Sequence, residues 1–253
     1  MKLFLIAICL LWPLTTFAAE QVVTLDTRPG VTMNLLVSNP EMPSHTALLM
    51  FPGADGYNQF SIEKGEIRRG RNFLVRTVPD FTKRGFIVAV IDTPSDRSQG
   101  MDDTFRTSKD HLQDIMKAVE YLSAKGCTSI YLVGTSRGTI SVAYLGAELK
   151  HDGIKGIVLT STMKYSKFLR WLSIEKISYP VLIVHNSDDE CKSTPYDEAG
   201  RLAQKFKSSP KATFEGVSGG LPPQSDSCLS LSAHGFFGIE DRVVKIISDW
   251  ASH

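Results

Sequence analysis

The sequence predicts an α/β fold built on a mostly parallel central sheet. Three observations carry this. Continuous apolar, β-branched runs recur along the chain, as strands buried on both faces require. Between them lie segments whose apolar residues fall at helical spacing. No internal repeat and no stretch rich in Pro, Gly or Ser splits the 253 residues, so strand and helix alternate through one domain, 19–253.

The elements follow an N-terminal segment of a different kind. MKLFLIAICLLWPLTTFAAE has a basic residue at Lys2, an apolar run through Leu14, and the small residues Thr16 and Ala18 at −3 and −1 of a cleavage site. This reads as a cleavable secretory signal, residues 1–18. The apolar run falls short of the roughly 20 residues a spanning helix needs. Cys9 lies too deep in it, behind the large Ile8, for lipoprotein cleavage. The expectation is a secreted, periplasmic chain. Removing the signal deletes Lys2 and no other charge, which leaves basic and acidic side chains equal in number. A balanced chain gives no reason to expect binding to nucleic acid or an anionic membrane. In an oxidising compartment, two of the remaining cysteines, Cys127, Cys191 and Cys228, can pair.

The first strand is weak (22–25), and the second, VTMNLLV (31–37), alternates. TALLMF (46–51) and FIVAVI (86–91) are continuous apolar runs, with a helix expected between them over 73–83. Leu112, Ile115, Met116, Val119 and Leu122 then recur at three and four, forming one helical stripe. SIYLVG (129–134) is followed by a helix over 137–150. GIVLTS (156–161), PVLIVH (180–185) and a weaker ATFEGV (212–217) complete about eight strands. KFLRWLSI (167–174) suits a short helix, and Val243, Val244, Ile246, Ile247 and Trp250 mark the last one. Right-handed crossovers place helices on both faces of the sheet, giving three layers.

One strand runs straight into Gly134-Thr135-Ser136-Arg137-Gly138 and out into a helix. A serine hydroxyl is a weak nucleophile; it needs a base to take its proton and donors to receive the developing oxyanion. A strained strand-to-helix turn exposes the serine, its glycines avoid side-chain clashes, and the helix N-terminus aims amides at the site. The pentapeptide alone is equally explained by a tight glycine turn, and its weight comes from the strand before and the helix after.

At this point the sequence resembles the α/β-hydrolase superfamily, in particular compact, nearly lidless members such as dienelactone-hydrolase-like proteins and small esterases. The resemblance implies the chain order nucleophile, acid, histidine. PVLIVHNSDDECKSTP (180–195) is similar to the family strand ending in His-Gly-x-x-Asp: His185 matches the histidine, Asn186 replaces the glycine, and Asp189 falls on the acid, with Asp188 as its neighbouring rival. Asparagine tolerates the left-handed backbone that the glycine would adopt. LSAHGFFGIEDRVV resembles the histidine loop and places His234 as the base. The oxyanion hole implied by the family uses the amide after the nucleophile, Arg137, and one from LLMFPGADG, where Pro52 has no donor and Gly53 and Ala54 remain, Ala54 being preferred.

In such a fold the loops carrying Cys191 and Cys228 meet beside the site, so the resemblance implies a Cys191–Cys228 disulfide, with Cys127 a small buried side chain. No Cys-x-x-Cys, His-Glu-x-x-His, Gly-x-Gly-x-x-Gly or P-loop pattern is present, so neither a metal site nor a nucleotide cofactor is expected. The arginines of RRGRNFLVR (68–76) suit either an anionic substrate group or a solvated helix face, and the aspartates of IDTPSDRSQGMDD (91–103) lie where they can shape a pocket. The expected activity is hydrolysis of a small acyl ester through Ser136, His234 and Asp189. An amidase or peptidase with the same triad, or a non-catalytic binding module, are the alternatives. The sequence is silent on oligomeric state.

Overall fold

A computed structural model describes residues 20–252 except 59, 64, 65 and 68; the expected signal, residues 1–18, lies outside the described residues. Eight strands form one sheet: β1 (Glu20–Arg28), β2 (Val31–Ser38), β3 (Thr46–Phe51), β4 (Ile87–Pro94), β5 (Ser129–Thr135), β6 (Ile154–Thr160), β7 (Val181–Asn186) and β8 (Ala212–Val217). Their spatial order is β1-β2-β4-β3-β5-β6-β7-β8. β2 runs antiparallel to both β1 and β4, and every other pairing is parallel. A short hairpin pairs 62–63 with 66–67 outside this sheet.

The continuous apolar runs are divided between two cores by the period of two along a strand. On β3, Ala47, Leu49 and Phe51 face one core while Leu48 and Met50 face the other; on β7, Val181 and Ile183 oppose Leu182 and Val184 in the same way. The first core is covered by α4 (Lys109–Ala124), α5 (Gly138–Glu148) and α6 (Tyr196–Leu202), through side chains such as Ile115, Ile140 and Leu202. The second is covered by α1 (Phe73–Arg76), α2 (Val78–Lys83) and α7 (Glu240–Ala251), through Leu74, Phe81 and Val244. The sheet is thus the middle layer of three, as the pattern predicts.

Several boundaries differ from the sequence reading, for local reasons. The helix expected over 73–83 is two helices broken at Thr77. Pro79 has no N–H to give to the carbonyl four residues back, so the first helix cannot continue through it. The helix expected over 167–174 is a π-type turn at Tyr165–Leu169 and a 3₁₀ turn at Ile174–Lys176. β4 runs three residues past its apolar stretch to Pro94, because Met33 of β2 still pairs there. α6 was not expected; Pro195 at its N-cap and Asp197 and Glu198 in its first turn are its start signals. The one-turn helix α3 (Asp103–Arg106), capped by Asp102 Oδ1 accepting from Phe105 N at 2.7 Å, was also unanticipated.

Leu132 of β5 is fully buried beneath the strand end that carries Ser136. Leu132→Ala should lower unfolding free energy by about 3 kcal/mol, from lost transfer energy plus a residual cavity. Urea unfolding followed by circular dichroism measures this.

Candidate active site

The sequence-predicted residues all fall at the carboxyl-terminal edge of the parallel strands. Ser136 follows β5, Ala54 follows β3, Asp189 follows β7, and His234 lies between β8 and α7 in a 3₁₀ turn at Ala233–Gly235. Crevices in open α/β sheets form along this edge.

Ser136 sits at φ 51°, in the left-handed region that a non-glycine residue adopts at a cost. Its neighbours fix it there. Its amide donates to Thr160 O at 3.0 Å, and its carbonyl accepts from Thr139 Oγ1 at 2.6 Å and Thr139 N at 2.9 Å. The flanking glycines are required by space: a Cβ on Gly134 would come 2.7 Å from Gly138 O, and one on Gly138 only 2.0 Å from Phe51 O. The turn is therefore pressed against the end of β3. The loop that follows is equally close, since a Cβ on Gly53 would lie 2.9 Å from Ser136 Cβ. Among the described residues, neither the Arg137 nor the Ala54 amide donates to a protein acceptor. Ala54 is itself left-handed, at φ 50°.

The structure brings Asp189 and His234 together. Asp189 Oδ2 lies 2.9 Å from His234 Nδ1 and accepts from Thr194 Oγ1 at 3.0 Å; Asp189 Oδ1 accepts from Cys191 N at 2.9 Å. His185 Nε2 lies 2.9 Å from Thr194 O and 3.3 Å from Asp189 Oδ2. Both partners accept, so Nε2 carries the proton. Burial favours the neutral Asp189 carboxyl. Hydrogen bonds from His185 and His234, the charge of His234 and the Cys191 amide outweigh burial and hold its pKa down to about 2. His234 is 5 % exposed, and its carbonyl accepts from Ser161 Oγ at 2.7 Å. Because Ser161 follows the residue that anchors Ser136, the serine turn and the histidine loop share one support. Ser136 Oγ makes no hydrogen bond to His234 among the described residues; bonds of this kind are often long in free enzymes and tighten with substrate bound.

Asp188 is placed differently. It is exposed, and its carboxylate accepts from Gly219 N at 2.8 Å and Ser187 Oγ at 3.1 Å, with no hydrogen bond to His234 among the described residues. Asn186 does not adopt the left-handed backbone expected of it. It ends β7, and its side chain makes the turn instead, accepting from Asp188 N and donating to Gly219 O, both at 3.0 Å. Cys191 and Cys228 form a disulfide, and Cys127 is buried and unpaired. Asp189, Cys191 and His234 present ligand-type atoms within 4.8 Å of one another. The Cys191 sulfur is committed to the disulfide, so the group is a poor metal site.

The polar segments also resolve. Arg76 pairs with Glu240 at 2.8 Å and donates to the Gly235 carbonyl, clamping the histidine loop from behind. Phe73 and Phe236 pack there with ring centroids 4.9 Å apart. Asp92 accepts from the amides of Asn58 and Phe60, each at 2.9 Å, which shapes the loop after β3. Asp103 pairs with Arg137 at 2.8 Å. Sequence reasoning missed Thr194, Ser161 and Arg106; only their positions in the fold mark them.

No family model matches the chain, and no curated protein sequence does. Solved structures match it in fold. A cold-adapted esterase from an Arctic intertidal metagenomic library has TM-score 0.59 at 16% identity, over 91% of this chain and 93% of that one. An α/β serine hydrolase homologue from Coxiella burnetii has TM-score 0.61 at 16% identity, over 91% and 95%. An acylaminoacyl peptidase from Pyrococcus horikoshii has TM-score 0.64 at 10% identity, over 94% of this chain and 42% of that one. Strand order, layer arrangement and these likenesses agree: the chain has the α/β-hydrolase fold.

Two outcomes follow from this geometry. The disulfide closes a sequence separation of 37 residues between the acid and histidine loops. Cys191→Ser with Cys228→Ser should cost about 4 kcal/mol on the chain-entropy model, seen as a lower midpoint in thermal unfolding. Asp189 has a folded pKa below its unfolded one, so its contribution to stability is present above pH ~4 and is lost as pH falls toward 2. A plot of melting temperature against pH should therefore have a flatter acid limb in Asp189→Asn than in the wild type.

Proposed function

We propose that this chain is a serine hydrolase that cleaves a small carboxylic ester by way of an acyl-enzyme. The observation that carries this reading is the strained Ser136 turn standing at the same sheet edge as the buried Asp189–His234 pair. Ser136 Oγ attacks the acyl carbonyl while His234 Nε2 takes its proton. His234 Nδ1–H donates to Asp189 Oδ2, which fixes the tautomer and stabilises the imidazolium. The free amides of Arg137 and Ala54 receive the oxyanion. His234 then protonates the leaving alcohol, and water activated by the same nitrogen releases the acid. Thr194, donating to Asp189, keeps the carboxylate in place.

Between β6 and β7 the chain makes only short turns and inserts no cap domain there, which favours a small or openly accessible ester over a long-chain lipid. The disulfide favours an oxidising compartment and fits the expected secretory signal. The peptidase among the structural neighbours keeps amide cleavage as the second reading, and rates on matched ester and amide substrates separate the two.

A fluorophosphonate probe should label the intact protein, and Ser136→Ala should abolish labelling; a protein that stays unlabelled is not a serine hydrolase. Asp189→Asn should lower kcat on the order of 10⁴-fold through the wrong histidine tautomer. Asp188→Asn should stay near the wild-type rate, and the reverse pattern would reassign the acid.

A further inference from the structure

Arg106 ends α3 and is fully buried. Nη1 donates to Ser141 Oγ and Nη2 to Ala54 O, each at 3.1 Å, and Nε has no partner. It forms no ion pair among the described residues; Asp103, Asp55 and Asp102 act on it only through space. Burial and the nearby charge of Arg137 lower its pKa to about 10, so it stays charged at neutral pH. The buried His111 beside it lacks a partner on either nitrogen. Burial, together with the charges of Arg106 and Arg28, holds the His111 pKa down to about 3, so this ring is neutral and does not offset the guanidinium.

Burying a charge without a contact ion pair is costly, and an apolar side chain of similar length would fill the space without that cost. Packing alone therefore does not account for Arg106. Its one backbone partner does: Ala54 is left-handed, and its own amide is free. The Ala54 carbonyl belongs to the peptide after the free amide, so the guanidinium fixes ψ at Ala54, while Gly56 N, donating to Gly53 O at 3.0 Å, holds the peptide that carries the amide; together they fix both planes about Ala54. The same helical turn also touches the residue that carries the other amide, since Asp103 holds the Arg137 side chain at 2.8 Å. That second contact is half-buried and acts on a side chain, so it contributes little by itself.

We propose that Arg106 is the positioning residue of the oxyanion hole: by holding the Ala54 carbonyl it fixes ψ at Ala54 and keeps the loop in the conformation that leaves the Ala54 amide turned to the substrate. This rests on the serine-hydrolase reading above. The mechanism calls for a loss in the chemical step and not in binding.

The test is the rate of fluorophosphonate labelling of full-length wild type, Arg106→Met and Arg106→Lys, resolved into probe affinity and maximal rate. Removing one oxyanion donor typically costs about 10²-fold, so Arg106→Met should lose about that factor in maximal rate with affinity nearly unchanged. Arg106→Lys, which keeps the charge but not the planar fork, should recover part of the loss. A folded Arg106→Met that labels at the wild-type maximal rate, or that loses affinity alone, overturns the proposal. Should Arg106→Met fail to fold, Arg106→Lys decides: a rate several-fold below wild type supports the proposal and an unchanged rate overturns it. Absence of Ser136-dependent labelling in the wild type is a separate result, which sinks the hydrolase reading and this proposal together.

Discussion

The close contact between the Ser136 turn and the end of β3 is the constraint on which the rest of the structure depends. Gly138 packs so tightly on Phe51 that no side chain fits between them. The contact ties the start of α5 to the loop that carries Gly53 and Ala54. It places the amides of Arg137 and Ala54 on neighbouring segments before any ligand arrives. Parallel pairing of β3 with β5 supplies the register, setting Phe51 opposite Gly134. A serine turn and an amide-bearing loop on separate, loosely packed segments would not hold the geometry that the proposed chemistry needs, which must be accurate to a fraction of an ångström.

The other half of the site is governed by electrostatics more than by contact. Asp189 is buried, and an isolated buried carboxylate would take up a proton. Four donors prevent this: His234, His185, Thr194 and the Cys191 amide. Three of them come from β7 and the segment that joins it to α6, so Asp189 is largely stabilised by its own stretch of chain. The disulfide then joins this loop to the one that leads to His234. Arg76 and Phe73 support the histidine from the opposite face through Gly235 and Phe236.

Much of this was legible in the sequence, and the reasons are physical. Strands buried on both faces must be apolar throughout, so β3, β4, β5, β6 and β7 stand out; β1 and β8, with more exposed patterns, were weaker. The serine turn was legible because only glycine fits at two of its positions. Asp189 was preferred to Asp188 only through its match to the family segment; what separates them in the structure is the turn made by the Asn186 side chain, which sequence spacing does not encode. Asp103 read as part of a polar loop and Arg106 drew no reading, because a single helical turn leaves no periodicity. Their meaning depends on which distant segments, Ala54 and Arg137, the fold brings beside them. The arginines of 68–76 showed the same limit: Arg76 belongs to neither of the roles the local sequence suggested, because its partner Glu240 lies 164 residues away.

The distribution of backbone strain points to the same site without reference to any motif. Among the described residues, four that are not glycine have left-handed backbones: Ala54, Ser136, Ser161 and Phe236. They follow β3, β5, β6 and the His234 turn, so all four border the carboxyl edge of the sheet. Each such residue costs energy, and strain persists only where surrounding structure over-determines it. Here the surroundings are specific: the guanidinium on Ala54, the Thr139 and Thr160 bonds on Ser136, the Val184 and His234 carbonyls on Ser161, and the Phe73 ring on Phe236. Two well-packed cores lie beneath the edge and offset the cost. Strain confined to one edge, and held there by separate devices, is what a preorganised site requires and what a packing accident would not produce.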